Sequence, residues 1–325
     1  MKKRERVEAV MRGTAADRAP FSLWRHFHGH DRSPEDLATS TMRFALQFQP
    51  DVVKLTPTGL YGVEDWGVEI AYFDDPHRPP EQSRPAFDDP SGWERLRPRA
   101  PASGALGREL QALHLTRAVL GFDWPLLMTV FSPLTLAYKL AGDRLLDDLR
   151  SAPEAVESGL AALAETTANF ARLCLEAGAD GIFFASQMAT HRFVTREEYA
   201  RFGEPFDCAV LDAVAGRSWL TVLHLHGTDV FFDLANRYPA HAVSWHDRET
   251  APDLATAAGQ TGRVLMAGLD LRLFETGTSA QVETQARQAL AATGGRRLIL
   301  APSCVIPTPS PPENLHAVRH AVEGA

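Results

Sequence analysis

Cysteine is scarce: the 325-residue chain holds three, Cys174, Cys208 and Cys304. An odd, widely spaced set fits a reducing compartment better than a disulfide framework. Also missing is any run near the roughly 20 apolar residues of a transmembrane helix, so no membrane span is expected. Basic residues are outnumbered, 33 Lys and Arg against 41 Asp and Glu, for a net charge of −8. Phosphate backbones are bound by basic stripes, and none is present, so no nucleic-acid partner is expected. The one basic run, MKKRER, leads into VEAVMRG, which reads as an amphipathic helix ending at Gly13 and lacks the apolar core of a signal peptide. A cytoplasmic protein is the expectation. No Gly-rich loop follows an early strand, which argues against a doubly wound dinucleotide-binding fold.

What is present is a globular composition, 45% hydrophobic and 23% charged, with ample material for a core. Short β-type runs recur: FSLWR (21–25), DVVKLT (51–56), LLMTVF (126–131), GIFFAS (181–186), LTVLHLH (220–226), AVSW (242–245), VLMAGL (264–269) and LILAPS (298–303). Helical patterns such as PEDLATSTMRFALQF, AVESGLAALAETTANFARLCLEAG and TSAQVETQARQALAATGG lie between them, the last two closing on the glycine that favours a C-cap. About eight βα units in one chain predict a (β/α)8 TIM barrel, one domain over residues 1–325, preceded by an N-terminal helix. Residues 74–104, DDPHRPPEQSRPAFDDPSGWERLRPRAPASG, carry no period. They are expected to form a long Pro-rich excursion between the second and third strands, functional or mobile.

Histidine is distributed unevenly. Twelve histidines in this length predict about 0.4 His-x-His pairs by chance, yet there are three, within RHFHGH and LHLH. Residues two apart on a strand share a face, so His224 and His226 at the end of the fifth run point into one site. In a barrel the active site lies where strands end. That places Arg25 and His28 after the first strand, Tyr138 after the third, Ser186 after the fourth, His246 after the sixth and Cys304 after the eighth around one mouth. Two imidazoles and a thiolate from His224, His226 and Cys304 suit Zn²⁺ with one position open for chemistry. Otherwise Cys304 is a small buried hydrophobe. Arg25 is placed to hold a carboxylate bidentately, or else it pairs with Glu64 or Asp65.

These residues carry a resemblance. RAPFSLWRHF, SPLTLAYKLAG, GADGIFFAS, LHLHG, VLMAGLDLRLFETGT and LAPSCVIPTPSPPENLHAVRHAVEG together resemble the uroporphyrinogen decarboxylase superfamily, which includes cobalamin-linked methyltransferases. The superfamily fold is a (β/α)8 barrel. Its decarboxylases carry paired arginines after the first strand, where this chain reads Arg25-His26-Phe27-His28-Gly29, and an aspartate after the second, where it reads KLTPTG. Ser186 matches the decarboxylase serine, the family tyrosine falls at Tyr138 or Lys139, and Ser303 stands where the decarboxylases have histidine. The methyltransferase branch binds zinc through a His-x-Cys-Gly element and a later cysteine. His224 and Cys304 match that pattern, and His226 replaces the middle cysteine, which makes the site one unit more positive.

The resemblance therefore implies a zinc-dependent methyltransferase in which His224, His226 and Cys304 are both ligands and catalytic groups. Arg25, His28, Tyr138, Ser186 and His246 would bind substrate. The donor would be a corrinoid, carried by a corrinoid protein or free, or a methoxylated compound, and the acceptor thiol-like. The alternatives are a decarboxylase of a carboxylated tetrapyrrole, a metal-dependent hydrolase using HFH or HGH with His246, and a non-enzymatic barrel that binds a corrinoid or tetrapyrrole. The oligomeric state is left open, a homodimer included.

Overall fold

The structure, a computed structural model, describes residues 1–324; the final residue of the expected 1–325 domain lies outside them. Helices α1 (Lys3–Met11) and α2 (Pro34–Phe48) precede strand β1 (Val53–Leu55). The hairpin β2 (Glu69–Ala71) and β3 (Glu81–Arg84), helices α3 (Ser91–Arg95) and α4 (Gly104–Leu120), and β4 (Leu126–Phe131) follow. Next come α5 (Pro133–Ala141), α6 (Arg144–Ser151), α7 (Pro153–Glu176), β5 (Gly181–Ser186), α8 (Arg196–Phe202), α9 (Glu204–Asp212) and β6 (Val222–Leu225). The chain ends with α10 (Leu234–Arg237), β7 (Ala242–Trp245), α11 (Leu254–Gln260), β8 (Val264–Leu269), α12 (Leu271–Thr276), α13 (Ser279–Thr293), β9 (Leu298–Pro302) and α14 (Pro312–Glu323).

Seven strands form one parallel sheet in the order β1-β4-β5-β6-β7-β8-β9. All seven are buried along their whole length, as parallel strands covered on both faces must be. The first predicted strand, FSLWR, is reduced to two bridges, yet those two close the sheet. Phe21 bridges Leu300 of β9 and Ser22 bridges Val52, beside β1. Ser22 N–H donates to Leu300 O at 2.9 Å, and Asp51 N–H donates to Phe21 O at 2.8 Å. Beyond Ser22 the ladder stops, because the Trp24 carbonyl accepts from Ile306 N–H, in the loop after β9, at 3.0 Å. The segment peels off toward that loop and carries Arg25 and His26 with it.

Helix ends follow local chemistry. Ser33 caps α2 by accepting from Asp36 N–H at 3.2 Å, with Pro34 in the first turn where its missing N–H costs nothing. Thr278 and Gln281 form a capping box at the start of α13, and Gly294 ends it at φ 59°.

The Pro-rich excursion is more ordered than its sequence suggests. It contains β3 and α3, and β3 pairs antiparallel with β2. Trp93 is fully buried, with its Nε1–H donated to Asp148 Oδ2 at 2.8 Å. Gly159 of α7 makes room for it, since a Cβ there would lie 2.9 Å from the Trp93 ring. One aromatic anchor supplied by tertiary contact does what periodicity could not. The tip reaches the mouth: His77 Nδ1 lies 3.1 Å from Thr308 Oγ1, four residues past Cys304.

Candidate metal centre

Alternation on β6 sends Leu223 and Leu225 outward and His224 into the barrel, and His226 continues on the same side one step past the strand. Gly227, at φ 87°, then turns the chain away in a conformation that disfavours a side chain. His246 follows β7, and Cys304 follows β9 after Pro302 and Ser303. The ligating atoms of His224, His226, His246 and Cys304 all lie within 4.8 Å of one another. Cys304 Sγ is 3.5 Å from His226 Nδ1, and the His226 and His246 rings meet edge to face at 4.9 Å. His246, expected to bind substrate, stands instead within the donor cluster.

His224 Nδ1 sits 3.1 Å from Ser244 Oγ on β7. Donating the Nδ1 proton there leaves Nε2 with its lone pair, the arrangement that outer partners of metal-binding histidines impose. Both ring nitrogens of His246 are buried with no hydrogen-bond partner among the described residues. Orphaned buried nitrogens are costly unless something fills the gap, and an ion between these donors would fill it. Burial holds the pKa of His224 well below the usual imidazole value and brings that of His226 down to about 4, with the neighbouring His246 adding to the second shift. Burial also lowers His246, opposed by Glu249, whose Oε2 is 3.7 Å from Nδ1. The imidazoles are therefore neutral near pH 7, the form that binds metal. Burial raises the Cys304 thiol, which the backbone N–H of Val305 and the charge of Lys54 oppose. Three imidazoles and a sulfur form a borderline-soft, four-donor set that fits Zn²⁺.

The other expected substrate residues divide. Arg25 pairs with neither Glu64, held by Arg108 at 2.8 Å, nor Asp65, which accepts from Ala105 N–H at 3.0 Å. Its Nε is buried without a partner, and burial lowers its pKa. His28 is buried, stacks on His26 at 5.2 Å, and lines a cavity of about 300 Å³ with Arg32 and Tyr72. Both His26 and His28 stand outside the donor cluster.

Ser186 turns the other way. On β5, Phe183 faces the barrel interior against His224, so Ser186, three residues on, faces the surrounding helices. Its hydroxyl lies 2.7 Å from that of Tyr199, which donates to Asp207 Oδ2 at 2.5 Å. Tyr138 also departs from expectation, because its hydroxyl donates to Asp143 Oδ1 at 2.6 Å, beyond the end of its own helix. Its neighbour Lys139 faces the site instead, is half-buried against the Phe131 ring at 4.7 Å, and helps lower His226.

Lys54 was not singled out from the sequence. It is the one charged residue in DVVKLT after the opening aspartate, and a cation within an apolar strand run was the available signal. Its ammonium lies inside the barrel, 4.7 Å from the Phe183 ring centroid and 5.5 Å from that of Trp24.

The comparisons agree with this architecture. The chain is 27% identical over 216 residues to a methylcobamide:CoM methyltransferase of Methanosarcina mazei, covering 66% of this chain and 62% of that protein. A protein with the same description from Methanosarcina acetivorans is 24% identical over 225 residues, covering 68% of this chain and 65% of that one. The matched regions thus span less than two thirds of these relatives. A solved methyltransferase structure from Methanosarcina mazei superposes with a TM-score of 0.88 at 20% identity, over 100% of this chain and 99% of that one. A B12-independent methionine synthase from Shewanella sp. superposes at 0.57 with 14% identity, over 94% of this chain and 96% of that one. Residues 2–325 match the family described as uroporphyrinogen decarboxylase (URO-D), and the chain belongs to that family.

Proposed function

We propose that this barrel is a metal-dependent methyltransferase that moves a methyl group from a corrinoid donor to a small thiol. The observation that carries the reading is the convergence of four neutral-to-soft donors within 4.8 Å at the mouth. Zinc, held by three of His224, His226, His246 and Cys304 with its fourth position left for the acceptor's sulfur, would supply Lewis acidity toward that sulfur. Two relatives described as methylcobamide:CoM methyltransferases support the class of reaction. The overall reaction would replace the carbon–cobalt bond by a carbon–sulfur bond, the bonding pair staying on cobalt and the thiol proton passing to solvent. The chain's own residues orient the reactants: Arg25 and Lys139 present charge at the mouth with no carboxylate partner among the described residues, and His28 lines the cavity beside the excursion. Among the described residues no helix is long and apolar enough to cross a membrane.

Two measurements test the reading. Purified protein loaded with zinc should hold one ion per chain, and Cys304→Ala or His226→Ala should lose it. With methylcobalamin and 2-mercaptoethanol, the wild type should bleach the methyl–cobalt absorbance and form the S-methyl product. The two variants should fall by at least about 10²-fold, the usual scale when a preorganised electrostatic group is removed. Zinc binding without product would discard the transferase reading and leave a binding protein.

A further inference from the structure

Asp31 and Arg32 are sequence neighbours of opposite charge that do not pair with each other. The loop leading into α2 turns Asp31 inward, where it is 2% exposed, and leaves Arg32 at the surface with its guanidinium 4.0 Å over the Tyr72 ring. Oδ2 of the buried carboxylate has no hydrogen-bond partner among the described residues. His28 Nδ1, also buried and unpartnered, stands 3.8 Å from it, too far for a hydrogen bond. Buried carboxylates are ordinarily satisfied, as Asp180 is by Arg117, Trp219 and the Leu126 N–H, because an unpartnered one is costly.

These groups open onto one space. His28, Asp31 and Arg32 line the cavity of about 300 Å³ together with Tyr72, Phe73 and Pro80 from between β2 and β3. Asp74 and Arg78 complete its rim, both exposed, and Arg78 is engaged by Glu81 at 3.1 Å. The cavity therefore offers an unpaired anion at its buried end, a cation steadied on an aromatic face at its open end, and apolar surface beside them. A metal ion does not answer this arrangement, since two donors are too few and the one cluster competent for an ion among the described residues is that of His224, His226, His246 and Cys304. A purely anionic ligand would meet Asp31, and a simple amine would leave Arg32 unused.

We propose that this cavity binds a free α-amino acid with an apolar side chain. Its ammonium donates to Asp31 and His28, whose unpartnered atoms are close enough for one nitrogen at about 2.9 Å to reach both. Its carboxylate accepts from the Arg32 fork, and its side chain lies against Tyr72, Phe73 and Pro80. The assignment is independent of methyl transfer, because this ligand needs no metal.

The test varies ligand and protein together. In calorimetric titration of the full-length chain near pH 7, L-leucine should bind one molecule per chain. N-acetyl-L-leucine, which lacks the ammonium, and L-leucinamide, which lacks the carboxylate, should each bind at least about 10-fold more weakly, the scale of one charge-assisted hydrogen bond. Asp31→Asn should weaken L-leucine by a similar factor and bind N-acetyl-L-leucine as wild type does. Arg32→Gln should weaken L-leucine and bind L-leucinamide as wild type does. The comparison of ligands needs only the wild type, so it stands even where a variant does not fold. Absence of L-leucine binding, equal binding of L-leucine and either derivative, or L-leucine binding unchanged in both variants overturns the proposal, and each leaves the methyltransferase reading intact.

Discussion

The two ends of the barrel treat buried charge in opposite ways. At the end where strands begin, every buried ion is saturated. Asp51, fully buried, accepts from Arg6 at 2.6 Å, Arg18 at 2.7 Å and the Phe21 N–H at 3.0 Å. Asp180 is held by Arg4, by Arg117 at 2.6 Å, by Trp219 Nε1 at 2.9 Å and by Leu126 N–H at 2.9 Å. At the end where strands finish, Arg25, His26, His28, His246 and Ser303 all keep buried polar atoms without partners. A fully paired network rigidifies, and a partly paired one awaits an occupant. The difference separates the end that holds the ring together from the end where the proposed site lies, the end at which barrels of this kind carry their active sites.

The largest effect expected at the open end is an absence. Anaerobic incubation with uroporphyrinogen should yield no coproporphyrinogen, because Thr56 and Pro57 replace the aspartate of the decarboxylases and Gly29 replaces the second arginine. Each missing preorganised partner costs about 10² to 10³ in rate. Robust turnover would show that the orphaned groups at the mouth serve a polycarboxylate and not a thiol.

Breaking the closed end should cost stability and spare the site. Asp51→Ala takes a fully buried acceptor from Arg18, from the Phe21 N–H and from one arm of Arg6, whose other contacts to Asp17 at 2.7 Å remain, for a loss of about 1–3 kcal/mol. Denaturant unfolding measures the loss, and zinc stoichiometry of the folded fraction should stay at the wild-type value. A parallel loss of zinc would mean the two ends are coupled.

The mirror experiment is Arg25→Met. Removing a cation that has no carboxylate partner among the described residues, and that packs only over the Phe27 and Phe44 rings, relieves desolvation, so stability should stay within about 1 kcal/mol of wild type or rise. A fall of several kcal/mol would give Arg25 a structural partner and close the contrast.

The smallest effect sharpens it outside the barrel. Burial pushes Asp207 from 3.8 up to about 7, against the hydroxyls of Tyr199 and Tyr238 that donate to it at 2.5 and 2.8 Å. A carboxyl whose folded pKa is raised contributes stability that is complete below about pH 4 and is lost as pH climbs through 7. Wild-type stability should therefore decline between pH 5 and 8 more steeply than that of Asp207→Asn, which has no proton to lose there. Parallel slopes from unfolding curves at the two pH values would contradict this.

Much of this is legible in the sequence itself. The stretch PEDLATSTMRFALQF coincides with α2, because a cap, a proline and an amphipathic period agree locally. His224, His226 and Cys304 were selected by alternation and by strand-end position, and both depend only on neighbours in sequence. Ser186 could have been read correctly by the same rule, since its register relative to Phe183 sends it outward.

Local pattern alone determined seven of the eight expected parallel strands, helix α2 and the strand-end positions of His224, His226 and Cys304, because period and capping are properties of residues a few positions apart. Tertiary structure decided the rest. The ring closes through two bridges at Phe21 and Ser22 because the loop after β9 captures the Trp24 carbonyl. The excursion folds around Trp93 because Gly159 leaves a space for it. His246 joins His226 from just past β7, 20 residues later in the numbering, and Lys54 lies inside the same barrel on β1, 172 residues earlier. Which orphaned groups meet in a cavity is a matter of distance across the barrel, and no periodicity along a strand encodes that distance.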